Sequence, residues 1–149
     1  MISRTFILVQ IPDPIYTQLT LQNVDDFVIK VRSCWATPTS DAEDVTSYTF
    51  IEAYQVVSTE TNDVAITENC VDHTAAFSFN SFTFGNQAGA VYFHCRIDLC
   101  DAKNEDCSCS ANARRRRSAS APDTTLTIGP ISVGNWSQQE LFLIAWFSL

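Results

Sequence analysis

The sequence predicts an all-β domain, an immunoglobulin-like β-sandwich with roughly seven strands. Short runs rich in Val, Ile, Thr, Phe and Tyr repeat with a period of two, and no stretch keeps a helical period for long. Clusters of Pro, Asn, Asp and Gly separate these runs and are typical of turns. With 149 residues, 46% of them hydrophobic, the chain can form one domain with a buried core, and a second domain would be hard to fit.

Residues that are typical of turns separate the predicted strands. The turn signals include Pro12-Asp-Pro14, Asn23-Val-Asp-Asp26 and Gly85-Asn-Gln87. Between positions 101 and 122 the chain is rich in Ser, Ala, Asn and Arg without apolar periodicity, which predicts an exposed loop between a folded body and a tail. The predicted strands are Thr5–Ile11, Gln18–Gln22, Phe27–Ser33, Thr46–Ala53, Ala75–Phe84, Gly89–Asp98 and Thr124–Val133.

The charge distribution argues against binding of nucleic acid. The net charge is −8, and four of the nine basic residues lie together at Arg114 to Arg117. The rest of the chain therefore has five cations against seventeen carboxylates. Such an acidic surface repels phosphate backbones, and four adjacent arginines on a loop are too local to line a groove.

Six cysteines predict three disulfides formed in an oxidising compartment. Their number is even, and the last four fall within fifteen residues. A zinc site is the alternative, because thiolates together with the imidazole of His73 or His94 could complete a tetrahedron. No C-x2-C knuckle is present, which favours disulfides. The cysteines are Cys34, Cys70, Cys95, Cys100, Cys107 and Cys109.

The chain lacks the residue sets of a catalytic site. His73 and His94 are its only histidines, and His94 stands between Phe93 and Cys95, a context typical of a strand residue rather than of a general base. Four glycines leave no phosphate-binding loop. The acidic cluster Asp41–Asp44 lacks the alternating oxygen ligands of a calcium loop and is better explained as a solvated turn. We expect no enzymatic activity, no bound metal and no cofactor.

Two short motifs indicate processing. The run Arg114, Arg115, Arg116 and Arg117 fits the R-x-[K/R]-R pattern of furin-type proprotein convertases, and small Ala and Ser residues on both sides leave it accessible. A solvated charge run or a targeting patch is the alternative, and a secreted chain favours cleavage. Asn135-Trp-Ser137 is an N-glycosylation sequon.

The two ends of the chain bear on its localisation. Met1-Ile-Ser-Arg-Thr5 leads into a segment interrupted by Pro12 and Pro14, unlike a signal peptide, so a secreted chain would require further residues upstream. Leu141–Leu149 is a nine-residue apolar stretch, about half of the ~20 residues that a membrane-spanning helix needs. This stretch predicts either the start of a membrane anchor or a terminal strand or helix packed on the domain.

In their order, these motifs resemble the C-terminal half of the zona pellucida (ZP) module, and most closely its uromodulin, pancreatic granule glycoprotein and tectorin branch. The resemblance covers about residues 5 to 133. It rests on Cys34-Trp-Ala-Thr-Pro38, Glu68-Asn-Cys70, the run from Val91 to Cys107, the basic run, and Thr127-Ile-Gly-Pro-Ile131.

The resemblance implies a ZP-C type sandwich with the disulfide pairs Cys34–Cys95, Cys70–Cys109 and Cys100–Cys107. It divides the chain into a body at 1–110, an exposed cleavage loop at 111–122, a strand called the external hydrophobic patch at 123–134, and a tail at 135–149 as the candidate start of a membrane anchor. The residues of the patch would be Leu126, Ile128, Gly129, Pro130 and Ile131.

The implied function is extracellular polymerisation into filaments or matrix, with other ZP modules as homomeric or heteromeric partners. In this family the patch strand keeps the precursor inactive until a furin-like protease cuts before it. The protein would be secreted, or anchored to a membrane until cleavage. A ligand-binding or partner-binding ectodomain module of a membrane receptor is the alternative. The N-terminal half of the module is not in this sequence, and Thr5–Ile11 would retain part of the neighbourhood of an internal patch.

Overall fold

The described part of the chain is all β, which confirms the predicted fold class. The computed structural model describes residues 7–10, 13–23, 25–57, 63–85, 89–110, 124–134 and 142–148. The strands in these ranges are β1 (Ile7–Gln10), β2 (Pro14–Gln22), β3 (Phe27–Thr37), β4 (Tyr48–Glu52), β5 (Gln55–Val56), β6 (Ala65–Glu68), β7 (Thr74–Asn80), β8 (Gly89–Asp101), β9 (Thr124–Gly134) and β10 (Phe142–Ser148).

The strands form two sheets that pack on one core, as in an immunoglobulin-like sandwich. One sheet has six strands in the order β1-β9-β8-β3-β4-β5, and the other has four in the order β10-β2-β7-β6. All neighbours are antiparallel except β1 with β9 and β10 with β2, which are parallel. Strand β9 therefore lies inside the larger sheet, one position from its end.

Aromatic side chains from both sheets fill the centre of the sandwich. The ring of Phe79 in the four-stranded sheet lies 4.6 Å from that of Phe93 and 5.0 Å from that of Phe50, both in the six-stranded sheet. In β2, Ile15, Thr17 and Leu19 are buried, and the intervening Tyr16 and Gln18 are exposed. This alternation is the period-two pattern of a strand with one face in the core.

Several strand boundaries differ from the predicted ones because pairing sets them. Strand β2 begins at Pro14, four residues earlier than predicted, and a proline is tolerated at the first position of a strand. Strand β7 ends at Asn80 instead of Phe84, because Asn80 pairs with Pro14 and the partner strand goes no further. Strand β3 runs on to Thr37, paired with β8 along this extension. The two-residue β5 and the four-residue β6 were not predicted, since neither is long enough to show a period.

Three disulfides tie the fold together, and they join the same pairs that the resemblance implies. Cys34–Cys95 links directly opposed positions of β3 and β8, deep in the core. Cys70–Cys109 ties the segment before β7 to the segment after β8, and Cys100–Cys107 closes a short loop. All six cysteines are thus bonded, so none is available as a thiolate ligand for zinc.

Candidate functional site: strand β9 and its seat

Strand β9 connects β1 to the rest of the six-stranded sheet. It pairs antiparallel with β8, from Gly89 opposite Val133 to Ile97 opposite Thr124. On its other side it pairs in parallel with β1 over four register positions. In the described part of the chain, β1 has β9 as its sole strand neighbour. Loss of β9 would therefore leave one edge of β8 unpaired and would detach β1 as well.

One face of β9 contributes to the hydrophobic core. Ile131 and Val133 are 0% and 1% exposed. Leu126 and Ile128 are partly buried and pack against the same core, opposite Cys95 and Phe93 of β8. Full burial of an aliphatic side chain contributes about 1.5–3 kcal/mol, so Ile131 and Val133 together stabilise the seated strand by about 3–6 kcal/mol.

A bulge interrupts the pairing of β9 with β8 at Gly129 and Pro130. The register shifts between Val91 and Phe93, so these two residues face the single residue Tyr92. Gly129 has φ +145°, and a Cβ atom on it would lie 2.8 Å from Cδ1 of Tyr92. The Gly129–Pro130 peptide is cis. Glycine is required here both by the backbone conformation and by the close approach of β8.

On the other face of β9, a hydrogen-bonded chain of side chains crosses three elements. Nε2 of His94 lies 2.7 Å from Oγ1 of Thr37, and Nδ1 of His94 lies 2.9 Å from Oγ1 of Thr127 in β9. The Thr37 hydroxyl donates to the carbonyl oxygen of Thr39 at 2.6 Å. Since the hydroxyl proton of Thr37 is used there, Thr37 accepts from Nε2–H. Nδ1 of the neutral ring is then the acceptor, and Thr127 donates to it.

The imidazole of His94 is fully buried, at 0% exposure. The ring of Trp35 lies 5.6 Å away, and its Nε1–H donates to the carbonyl oxygen of Ala42 at 2.9 Å, which holds the segment after β3 close to the sheet. Burial lowers the pKa of His94 below its ordinary value of 6.5, and the carboxylate of Asp41 opposes this shift. His94 is therefore neutral at neutral pH.

Comparison with known proteins identifies the family. The model of the ZP-C domain of the zona pellucida family matches residues 1–110. The chain belongs to the zona pellucida family.

Relatives of this ZP-C chain are themselves ZP-domain proteins. It is 35% identical to uromodulin of Rattus norvegicus over 118 residues, which are 78% of the chain and 18% of that protein. It is 30% identical to the pancreatic secretory granule membrane major glycoprotein GP2 of Canis lupus familiaris over 132 residues, 80% of the chain and 26% of that protein. Alpha-tectorin of Homo sapiens is 32% identical over 80 residues, 54% of the chain and 4% of that protein.

The ZP-C chain thus spans about a fifth of the rat uromodulin that it matches. Its family and its three disulfides indicate an extracellular module, because such bonds persist in oxidising compartments. The relatives are structural ZP-domain glycoproteins rather than enzymes.

The structure brings the predicted patch residues together on one strand of the ZP-C domain. Leu126, Ile128, Gly129, Pro130 and Ile131 all lie in β9. The predicted cleavage run at 114–117 and the sequon at 135 lie outside the described residues.

Two β9 residues with a part in the site were not among the predicted ones. Val133 is as buried as Ile131, and Thr127 binds His94. The alternation of the predicted strand Thr124–Val133 carried a signal for Thr127, since it stands between the apolar Leu126 and Ile128. The hydrogen-bond partner of Thr127 is His94, and this pairing depends on the register of β8 against β9.

The other candidate features of the ZP-C chain are accounted for locally. Asp41–Asp44 forms a turn, closed by a hydrogen bond from the amide of Asp44 to the carbonyl of Asp41 at 3.2 Å. Within the described ranges, His, Cys, Asp and Glu side chains form no group of three or more suited to a metal ion.

Phe142–Ser148 of the apolar tail forms β10, paired in parallel with β2, which is the terminal-strand alternative. In the described ranges no helix could cross a membrane.

Proposed function

We propose that this ZP-C chain is part of an assembly module for extracellular filaments or matrix, and that β9 keeps it unassembled until the chain is cut after Arg117 and β9 leaves. One observation carries the proposal. Strand β9 is seated between β1 and β8 with its apolar face in the core, and the basic run at 114–117 lies in the segment that joins it to the body.

Removal of β9 would create a surface suited to an incoming strand. The edge of β8 would present unpaired backbone groups from Gly89 to Ile97, beside a trough that Ile131 and Val133 now fill. An open edge with an apolar trough is the arrangement that pairs with an added strand. The partners we propose are other ZP modules, of the same or of a different protein.

The position of the basic run explains how one cut would act. A tethered strand rebinds at an effective concentration of millimolar order, so an uncut β9 stays seated even if its intrinsic affinity is modest. After a cut by a furin-like protease, β9 and β10 belong to a separate fragment with one strand in each sheet. Both strands must leave before the fragment can diffuse away, so cleavage and release are separate steps.

The test uses the full-length protein secreted from cultured cells. With Arg114, Arg115, Arg116 and Arg117 all changed to Ala, we expect secretion without cleavage and no filaments by electron microscopy. A matched version carries the recognition sequence of an unrelated protease at the same four positions. Addition of that protease should restore filaments. Normal filaments from the uncleavable Ala version would refute the proposal.

A second experiment weakens the packing of β9 against the core and leaves the basic run unchanged. Changing Ile128 and Ile131 to Ser should cause premature assembly or retention inside the cell, because the apolar face of β9 no longer fills the core. Ser132→Ala is the control on the same strand, since Ser132 is not among the core residues. Regulated assembly of the Ile128/Ile131 variant, indistinguishable from that of the control, would show that β9 is not the block.

A further inference from the structure

We infer that His94 is a pH-sensitive latch on β9: through Thr127 on one side and Thr37 on the other it ties β9 to β3 across β8, and its protonation loosens β9. The inference rests on the proposed function for the biological meaning of a loosened β9. The latch itself is a property of the uncut chain, and it can be tested without any assembly.

The geometry gives His94 one hydrogen bond to each neighbouring strand. Thr37 of β3 accepts from Nε2–H at 2.7 Å, and Thr127 of β9 donates to Nδ1 at 2.9 Å. The Thr37 hydroxyl is itself held by the carbonyl oxygen of Thr39 at 2.6 Å, so the direction of every hydrogen bond in the chain is determined. Nδ1 can accept from Thr127 only while the imidazole is neutral.

Protonation reverses the hydrogen bond to β9. Nδ1–H becomes a donor, and the Thr127 hydroxyl must turn its own proton away from the ring to accept. The bonds on the β3 side keep their direction, since Nε2 carries a proton in both states. The change on charging therefore falls on Thr127, the residue that belongs to β9.

The surroundings of His94 compensate a positive charge poorly. Asp41, from the segment after β3, is the carboxylate that favours the imidazolium. Arg96 of β8 carries a like charge over the ring of Trp35, 5.5 Å from its centroid, and Trp35 and Thr37 of β3 are neutral. Strand β9 has no charged residue between Thr124 and Gly134. The charged form is therefore satisfied best by water, which reaches the ring once β9 moves aside.

The sign of the pH effect follows from the direction of the shift. Burial lowers the pKa of His94 when β9 is seated, whereas a hydrated imidazole titrates near 6.5. The open form therefore takes up a proton at a higher pH than the seated form. The stabilisation of the seated form is complete above about pH 6.5 and declines as the pH falls from there towards the lowered pKa.

The test is hydrogen–deuterium exchange of the uncut 149-residue chain with its disulfides intact, at pH 7.5 and pH 5.0. Protection is normalised to the intrinsic exchange rate at each pH. We expect amides of β9 to lose protection by about threefold or more relative to those of β7 in the other sheet. His94→Gln should remove most of this difference between the two pH values, because the side-chain amide of glutamine has a donor and an acceptor but does not titrate. An equal difference in His94→Gln and in the unchanged chain would overturn the latch.

Thr127→Val tests the contact from the side of β9. Loss of this hydroxyl should lower the protection of β9 by about three- to tenfold at pH 7.5, the usual range for one hydrogen bond. Thr125→Val is the matched control, since Thr125 is exposed on the same strand two residues away. Equal effects of the two substitutions would overturn the latch.

A third measurement needs no substitution at the latch. The chain has two histidines, so the ring signals of His94 can be followed by NMR against those of His73. A midpoint below 6.5 for His94, with β9 opening over the same range, is expected. A midpoint at or above 6.5 would overturn the latch. None of these results bears on whether a cut chain assembles, so the latch and the proposed function can fail separately.

Discussion

Truncation of Ile131 to alanine measures directly how much the packing of β9 in the core contributes to stability. Ile131 is 0% exposed and lies opposite Val91 of β8 and Ile7 of β1. The substitution removes three carbon atoms, and at about 0.8 kcal/mol each the lost burial amounts to about 2.4 kcal/mol. A residual cavity raises the expected cost to about 3–4 kcal/mol, inside the usual range for buried Ile→Ala. Ser132→Ala, the neighbouring control outside the core, should cost less than about 0.5 kcal/mol.

Urea denaturation with intact disulfides gives the total loss, and hydrogen exchange shows where it falls. If β9 opens without global unfolding, 3–4 kcal/mol corresponds to a loss of protection of roughly 150- to 700-fold in β9. Amides of β2 and β7 in the other sheet should change far less. A loss below about 1 kcal/mol, or an equal effect of Ser132→Ala, would refute the idea that Ile131 anchors the strand.

Two further predictions concern the bulge and the disulfides. Gly129→Ala should cost about 1–3 kcal/mol more than Gly85→Ala by urea denaturation: both glycines have positive φ, but an added Cβ at 85 meets nothing within 4 Å, whereas at 129 it meets Tyr92. Equal costs would show that β8 shifts at the bulge to make room for the added Cβ atom. Replacing Cys34 and Cys95 together by Ser should cost about 4 kcal/mol, and replacing Cys100 and Cys107 about 2.4 kcal/mol, because the bonds close loops with sequence separations of 61 and 7. Secretion from cells and the urea midpoints of the two variants test this order. The reverse ranking would contradict the prediction.

Much of the fold could be predicted because strand formation leaves a local pattern. Alternation is readable within a few residues, and the predicted strand Thr124–Val133 agrees with β9 to within one residue. Boundaries that depend on a partner could not be predicted in this way. Strand β7 ends at Asn80 although the apolar pattern continues to Phe84, because the end of the neighbouring strand is not encoded in the segment itself.

The candidate site divides along the same line. Patch residues such as Ile131 were named from a resemblance between motifs, and the alternation around them is consistent with a strand. The partners of Thr127 and of His94 required the register of β8 against β9, which a sequence without pairing information cannot supply. A histidine between Phe93 and Cys95 has the same local pattern whether its ring is buried under Trp35 or open to water.

The sequence by itself determined the all-β class, the acidic character, the even set of six cysteines and the order of body, basic run and apolar strand. These properties depend on composition and on short-range periodicity. Only the tertiary structure decided that β9 lies between β1 and β8, and that β10 lies beside β2. The pairings of β9 with β1 and of β10 with β2 join residues that are more than one hundred positions apart, as with Ile7 and Ile131. They arise when strands compete for edges and for space in the core, a choice made by the whole chain.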